Sequence, residues 1–190
     1  MKKGIIVPTV ALFVICLVST ILLAFANNVT APIIKNLAVQ TEMKSRQTVL
    51  SEATEFKDGE SNGVTYAVGY DASGKTVGIV FTTTTKSYGG DIQVMTGVDM
   101  SGKVTGVQIL SINDTAGLGM NAQKESFREQ FIGLVKGIVV QKNSSNHDNN
   151  EITALTGATI TSKAVTTAVN SALESFDAVS SQYIENGGAK

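Results

Sequence analysis

The chain has 190 residues, 43% of them hydrophobic and 16% charged, with a formal net charge of −1, one histidine and one cysteine. A charge this close to zero excludes the electrostatic footprint of a nucleic-acid binder or of a protein drawn to anionic lipid. A lone cysteine excludes a disulfide framework; the lone histidine, His147 in the polar run QKNSSNHDNN, reads as a solvated loop residue and argues against a histidine-based metal site or a Ser-His-Asp triad.

No charge lies between Lys3 and Lys35, and GIIVPTVALFVICLVSTILLAFA (4–26) is almost wholly apolar. As a helix rising about 1.5 Å per residue it would cross roughly 30 Å of hydrocarbon. We read it as a transmembrane anchor, with Pro8 harmless in the first turns. The alternative is a cleaved signal peptide, because Lys2 and Lys3 open the chain and Ala24-Phe25-Ala26 has the small-x-small form of a cleavage site; the apolar run is longer than usual for one. The positive-inside tendency leaves Lys2 and Lys3 in the cytoplasm and residues 35–190 outside. That outer part carries 13 basic and 16 acidic residues, once Lys2 and Lys3 are set aside.

Pro32 disfavours helical geometry at Ala31, so NNVTAP is expected to break the helix or to cap the next one. Residues 33–56 then read as a second, amphipathic helix and KDGESNG (57–63) as a loop. A weak internal repeat follows. AVGYDASGKTVGIVF (67–81) and MTGVDMSGKVTGVQI (95–109) superpose at an offset of 28, and each reads as a β-hairpin around an Asp-x-Ser-Gly-Lys turn. Ser87-Tyr88-Gly89-Gly90 and Thr115-Ala116-Gly117-Leu118 extend the repeat as Gly-bearing loops. ESFREQFIGL (125–134) reads as a helix, GIVVQK (137–142) as a strand, and 162–178 as a helix with one buried face, after which the chain frays. The fold class expected is α+β: one N-terminal transmembrane helix, then a curved antiparallel sheet of two hairpins with packed helices. Its divisions fall at 1–34 (start and anchor), 35–60 (juxtamembrane helix and loop), 61–184 (outer domain) and 185–190 (tail).

Before the last helix stands Thr156-Gly157-Ala158-Thr159-Ile160-Thr161-Ser162. Taken by itself this is a helix start, with Gly157 in a tight turn and Thr161 or Ser162 as N-cap. The same unpaired amides and dipole end would also suit a phosphate, so structural and binding roles both stand.

Thr156-Gly157-Ala158-Thr159 resembles the flavinylation motif [S/T]-G-A-[T/S] of the FMN-binding domain family, in which the last hydroxyl residue carries FMN through a phosphoester. Asn113-Asp114-Thr115-Ala116-Gly117-Leu118-Gly119, followed by Phe127 and Gln130-Phe131, resembles the family's E-T-P-G-L-G loop and F-x-x-Q-F helix, with Asp114 and Ala116 in place of Glu and Pro. An acidic residue often stands three positions before the motif; here Thr153 does, with Glu151 two residues earlier. With Tyr88-Gly89-Gly90 and the anchor, the likeness covers most of the chain. It is greatest to the G subunits of Rnf-type ion-translocating electron-transport complexes, with the C subunits of sodium-pumping NADH:quinone reductases as near relatives.

That resemblance implies FMN esterified to Thr159, its phosphate at the start of the last helix beside Thr161, Ser162 and Lys163. Leu118, Met120 and Leu155 would offer an apolar slot for the ring, and Gly117 and Gly119 would allow close approach. Asp114 and Thr115, with Thr156, Gly157 and Ala158, complete the expected cofactor site. It further implies neighbouring membrane subunits as partners, a flavin transferase using FAD with a divalent ion, electron relay without a catalytic base, and no resident metal. From the residues alone, an anchored ligand-binding or pilin-like surface module remains open, though no glutamate lies just inside the apolar run as pilins usually have.

Overall fold

A computed structural model describes residues 3–61, 63–143 and 149–185. His147 and the end of the tail lie outside them. The chain forms two compact units, residues 1–42 and 43–190. Helix α1 (Lys3–Val49) begins in the first and ends in the second, and its apolar part is long enough to cross a membrane.

The expected break at Pro32 does not occur, since both Pro8 and Pro32 lie inside α1. A proline deletes one N–H to C=O bond, and long apolar helices tolerate this because the bonds on either side persist. The second helix expected over 33–56 is the continuation of α1 and stops at Val49, short of Phe56. Leu50 to Thr54 turn the chain, and the expected loop 57–63 is mostly strand: β1 (Glu55–Ser61) pairs antiparallel with β2 (Val64–Tyr70). β1 is an edge strand, largely solvated and carrying charges of both signs, so no alternation of apolar residues announces it.

Strands β3 (Thr76–Lys86), β4 (Asp91–Asp99) and β5 (Val104–Ser111) complete an antiparallel meander in the order β1-β2-β3-β4-β5. The two hairpins of the repeat are β2-β3 and β4-β5, and their turns are built alike. Asp71 Oδ1 accepts hydrogen bonds from Ser73 N at 2.8 Å, Ser73 Oγ at 2.6 Å and Lys75 N at 2.9 Å. Asp99 Oδ1 accepts the same three from Ser101 N, Ser101 Oγ and Lys103 N at 2.8, 2.6 and 3.0 Å. Gly74 and Gly102 both take φ +80°, a conformation open to glycine.

One face of this sheet packs on α3 (Thr159–Glu185) to form the main core, with Phe81, Ile79, Val94 and Val98 against Val165, Ala168, Val169 and Ala172. Alanines at 164, 168 and 172 recur every four residues and let the helix sit close to the strands. Thr83 Oγ1 and Thr85 Oγ1 accordingly reach the carbonyls of Ala168 and Ala164 at 3.1 and 3.0 Å. The opposite face holds a second core of Val49, Leu50, Ala53, Val80 and Met95. There the repeat has a packing purpose: four of the six glycines shared by its two copies, 69, 78, 97 and 106, leave room for residues 49–53, where α1 ends and the chain turns. A Cβ at Gly97 would stand 2.2 Å from Val49 O, and one at Gly106 would stand 2.9 Å from Val49 Cα.

The helix expected over 125–134 is only partly helical. A 3-10 turn (Gly119–Gln123) leads into the short α2 (Glu125–Arg128) and another 3-10 turn (Glu129–Phe131), and Leu134 lies beyond. Buried Phe127 and Phe131 stack edge to face at 5.6 Å and need only one turn to do so. β6 (Val139–Gln141), inside the expected strand, pairs in parallel with β7 (Glu151–Thr153), which leads directly to the TGATITS segment.

Candidate functional site

Two glycine turns meet before α3. Ala158 N donates to Leu155 O at 3.0 Å with Gly157 at φ +74°, and Leu118 N donates to Thr115 O at 3.2 Å with Gly117 at φ +78°. Each therefore has glycine at the third position of a four-residue turn, where a left-handed φ is required. They lie side by side, and a Cβ at Gly157 would stand 3.0 Å from Leu118 Cδ2. Between them opens a cleft of about 480 Å³ lined by Tyr88, Asp114, Thr115, Leu118, Gly119 and residues 157 to 161.

α3 begins at Thr159, two to three residues before the N-cap expected at Thr161 or Ser162. Its first i to i−4 bond runs from Ser162 N to Ala158 O at 3.0 Å, so Ala158 occupies the cap position. Both expected capping hydroxyls fall within the first turn. Ser162 Oγ donates to Ala158 O at 3.0 Å and accepts from Leu155 N at 2.9 Å, which ties the turn to the helix. Thr161 Oγ1 donates to Asp114 Oδ2 at 2.5 Å. The donors remaining at the helix start are the amides of Thr159, Ile160 and Thr161, which precede the first intrahelical bond. With the positive end of the helix dipole they form a site for an anion.

Thr159 differs from its neighbours. It is half-buried, lines the cleft, and its hydroxyl has no hydrogen-bond partner among the described residues. Thr156 is exposed outside the lining, and Gly117 shapes its turn without lining the cleft. Lys163 is exposed and also stands outside the lining.

The apolar wall differs in part from the expected one. Leu118 lines the cleft, whereas Leu155 packs against the main core and Met120 is exposed away from it. The 3-10 turn buries Gly119 and Ala122, three residues apart on one side, and so puts Met120 on the other. Tyr88 and Ile160, both exposed, complete the wall. Gly119 makes room for protein rather than for a ring: a Cβ there would stand 2.5 Å from Asp114 Cβ and 2.6 Å from Thr161 Oγ1.

Asp114 is buried and joins three segments. Its Oδ2 accepts from Ser87 Oγ and Thr161 Oγ1, each at 2.5 Å, and its Oδ1 from Gly89 N at 2.6 Å. Burial alone would raise its pKa; the hydrogen bonds from Ser87, Thr161 and Gly89 outweigh burial and hold it below the ordinary carboxylate value. Ser87 is the site residue that motif reasoning missed, and its only sequence signal was membership of the Ser87-Tyr88-Gly89-Gly90 loop. Gln130 has a supporting place. Its Oε1 accepts from Thr153 N at 2.8 Å and its Nε2 donates to Thr153 O at 3.4 Å, which fixes the end of β7 three residues before Thr156.

A cleft walled by Leu118, Ile160 and Tyr88 beside a helix start with free amides fits an aromatic ring that carries a phosphate. Comparison with known proteins agrees. Residues 87–174 match the FMN-binding domain model. The chain is 37% identical over 189 residues to the G subunit of the Na(+)-translocating ferredoxin:NAD(+) oxidoreductase complex of Acetobacterium woodii, covering 89% of this chain and 90% of that one. It is 36% identical over 174 residues to the G subunit of the proton-translocating ferredoxin:NAD(+) oxidoreductase complex of Clostridium ljungdahlii, covering 91% and 92%. Among solved structures, the C subunit of the Na(+)-translocating NADH-quinone reductase of Parabacteroides distasonis shares the fold at a TM-score of 0.50 and 22% identity. The likeness spans 59% of this chain and 61% of that one, under two thirds of its length.

Proposed function

The chain belongs to the family of G subunits of ion-translocating ferredoxin:NAD(+) oxidoreductase complexes and contains an FMN-binding domain, and from this premise we propose that it relays electrons through FMN esterified to Thr159. The observation that carries the reading is Thr159 itself: a hydroxyl free of hydrogen bonds among the described residues, on the cleft, at the first residue of a 27-residue helix.

Bound FMN supplies the redox chemistry, taking up and releasing electrons, while the protein holds and orients it. The amides of Thr159, Ile160 and Thr161 would bind the phosphate, with the helix dipole favouring its charge. Leu118, Ile160 and Tyr88 would cover the ring and keep water from one side of it. No catalytic base and no soluble substrate are required of this chain. The flavin-carrying domain, expected over 61–184, takes in β1 as the edge of its sheet. We assign its location to the outer side of the membrane, Lys2 and Lys3 to the cytoplasm, and its partners to neighbouring redox subunits. Attachment falls to a separate transferase, which would take FMN from FAD, with AMP leaving as Thr159 Oγ1 forms the ester.

Intact mass tests this directly. Protein made together with the transferase should carry the mass of FMN less one water and fluoresce in a denaturing gel, and Thr159→Val should lose both. Fluorescence retained by Thr159→Val would move the ester elsewhere, and a bare mass in the unaltered chain would remove the tether.

A further inference from the structure

Among the described residues Asp114 is the buried acidic side chain, and it lies on the cleft. Three segments distant in sequence converge on it: Ser87 and Gly89 after β3, its own loop after β5, and Thr161 in the first turn of α3. Two glycines are shaped around this convergence. Gly119 lacks the Cβ that would strike Asp114 and Thr161, and a Cβ at Gly89 would stand 2.2 Å from Asn113 O. Both hydroxyls donate to one oxygen, an arrangement that suits an ionised acceptor far better than a neutral acid or an amide.

We infer that Asp114 is the positioning residue of the flavin site, an ionised latch tying the Ser87–Gly89 wall of the cleft to the helix start that presents Thr159. Its fixed negative charge also opposes electron uptake in that cleft. The inference rests on the flavin reading above for its redox part, and on the protein alone for its mechanical part. Asp114 needs no contact with the flavin to act, because it sets where Tyr88 and the first turn of α3 stand. Asp114 is itself buried, so its charge is less screened than a surface one, and its removal makes reduction in the adjoining cleft easier.

The mechanical part is read without flavin, in the full-length Thr159→Val chain, by hydrogen exchange. Adding Asp114→Asn, which replaces an acceptor with an amide group, should speed exchange at Gly89 and at Ser162, whose amides are hydrogen-bonded, about tenfold, through loss of about one net hydrogen bond. Ser87→Ala is the milder variant should Asp114→Asn fail to fold, and it should speed exchange at Gly89 while leaving the carboxylate in place. Unchanged exchange in either variant overturns the latch.

The electrostatic part is read in the flavin-loaded chain by spectroelectrochemical titration. Asp114→Asn should raise the flavin potential, Asp114→Glu should restore it towards the unaltered value, and Ser87→Ala should lower it or leave it unchanged, because the charge remains with fewer donors. A merely structural role would move the melting temperature and not this order of potentials. A rise with Ser87→Ala, or none with Asp114→Asn, overturns the charge-setting role. Absence of covalent flavin in the unaltered chain would refute the flavin reading instead, and exchange at Gly89 would still decide the latch.

Discussion

Gly97→Ala should destabilise the protein far more than the loss of a glycine's freedom would suggest. Gly97 sits in β4 opposite Gly106, and a Cβ added there would stand 2.2 Å from Val49 O, 2.5 Å from Thr105 Oγ1 and 2.8 Å from Val49 C. Ordinary contact begins near 3.4 Å, so the end of α1 must retreat by about 1 Å, and main chain cannot rotate aside as a side chain can. Overpacking of this kind costs about 1–3 kcal/mol. Thr105 Oγ1, which donates to Val49 O at 2.5 Å, would lose that bond for about 1 kcal/mol more. Alanine returns about 0.5–1 kcal/mol through the unfolded chain, which leaves a net loss of about 1–3.5 kcal/mol. For a chain this size that corresponds to a drop of roughly 2–14 °C in melting temperature. The assay is thermal unfolding of the full chain in detergent, followed by the strand signal in circular dichroism. Gly74→Ala is the control, since it meets nothing within 4 Å and is strained only by its φ of +80°, a cost of about 1–2 kcal/mol. If Gly97→Ala melts no lower than Gly74→Ala, the glycine seat for α1 is refuted.

Gln130→Ala should loosen the end of β7 by removing both side-chain hydrogen bonds to Thr153, at about 1 kcal/mol net for each. Proteolysis should then cut near 153–157 faster in the variant, and an unchanged rate would exclude this support for the motif loop. Acid should weaken the fold through Asp71, Asp99 and Asp114, whose pKa values are all held below 3.8. At Asp71 the chief cause is the Ser73 hydroxyl; at Asp99 and Asp114 burial pushes upward but hydrogen bonds prevail. A depressed carboxylate contributes stability that is complete above its unfolded value and is lost as pH falls through its folded one. Melting temperature should therefore be flat on this account above about pH 5 and fall below about pH 4, with a smaller fall in Asp99→Asn.

Much of the fold was legible because its signals are local. Each Asp-x-Ser-Gly-Lys turn is held by an aspartate bonded within its own five residues, so the two hairpins could be located from sequence alone. The apolar stripe of α3 was equally plain. Expectation and structure part where a local rule meets a longer-range balance. Pro32 breaks one bond in a 47-residue helix, and its neighbours carry the helix past it. β1 forms because β2 offers a partner along its whole length, from Glu55 opposite Tyr70 to Ser61 opposite Val64, though its own residues are polar. β7 is three residues long, too short for any period to show.

The site divides along the same line. Residues that shape the backbone near themselves, Gly117 and Gly157, were recognisable as turn glycines, while the start of α3 was legible only to within three or four residues. The links that join those pieces were not, because Ser87 to Asp114 spans 27 positions and Asp114 to Thr161 spans 47. A hydroxyl in a motif can be a ligand, a cap or a tie, and spacing does not distinguish these. The structure divides these hydroxyls by their partners: Ser162 secures the turn, Thr161 secures Asp114, and Thr159 is left on the cleft without a bond among the described residues. A hydroxyl with accessible surface and no partner in the fold is open to solvent or to a ligand. The case for Thr159 thus gains a physical basis independent of the motif: Thr161 and Ser162 are already committed to holding the fold, and Thr156 stands exposed outside the cleft.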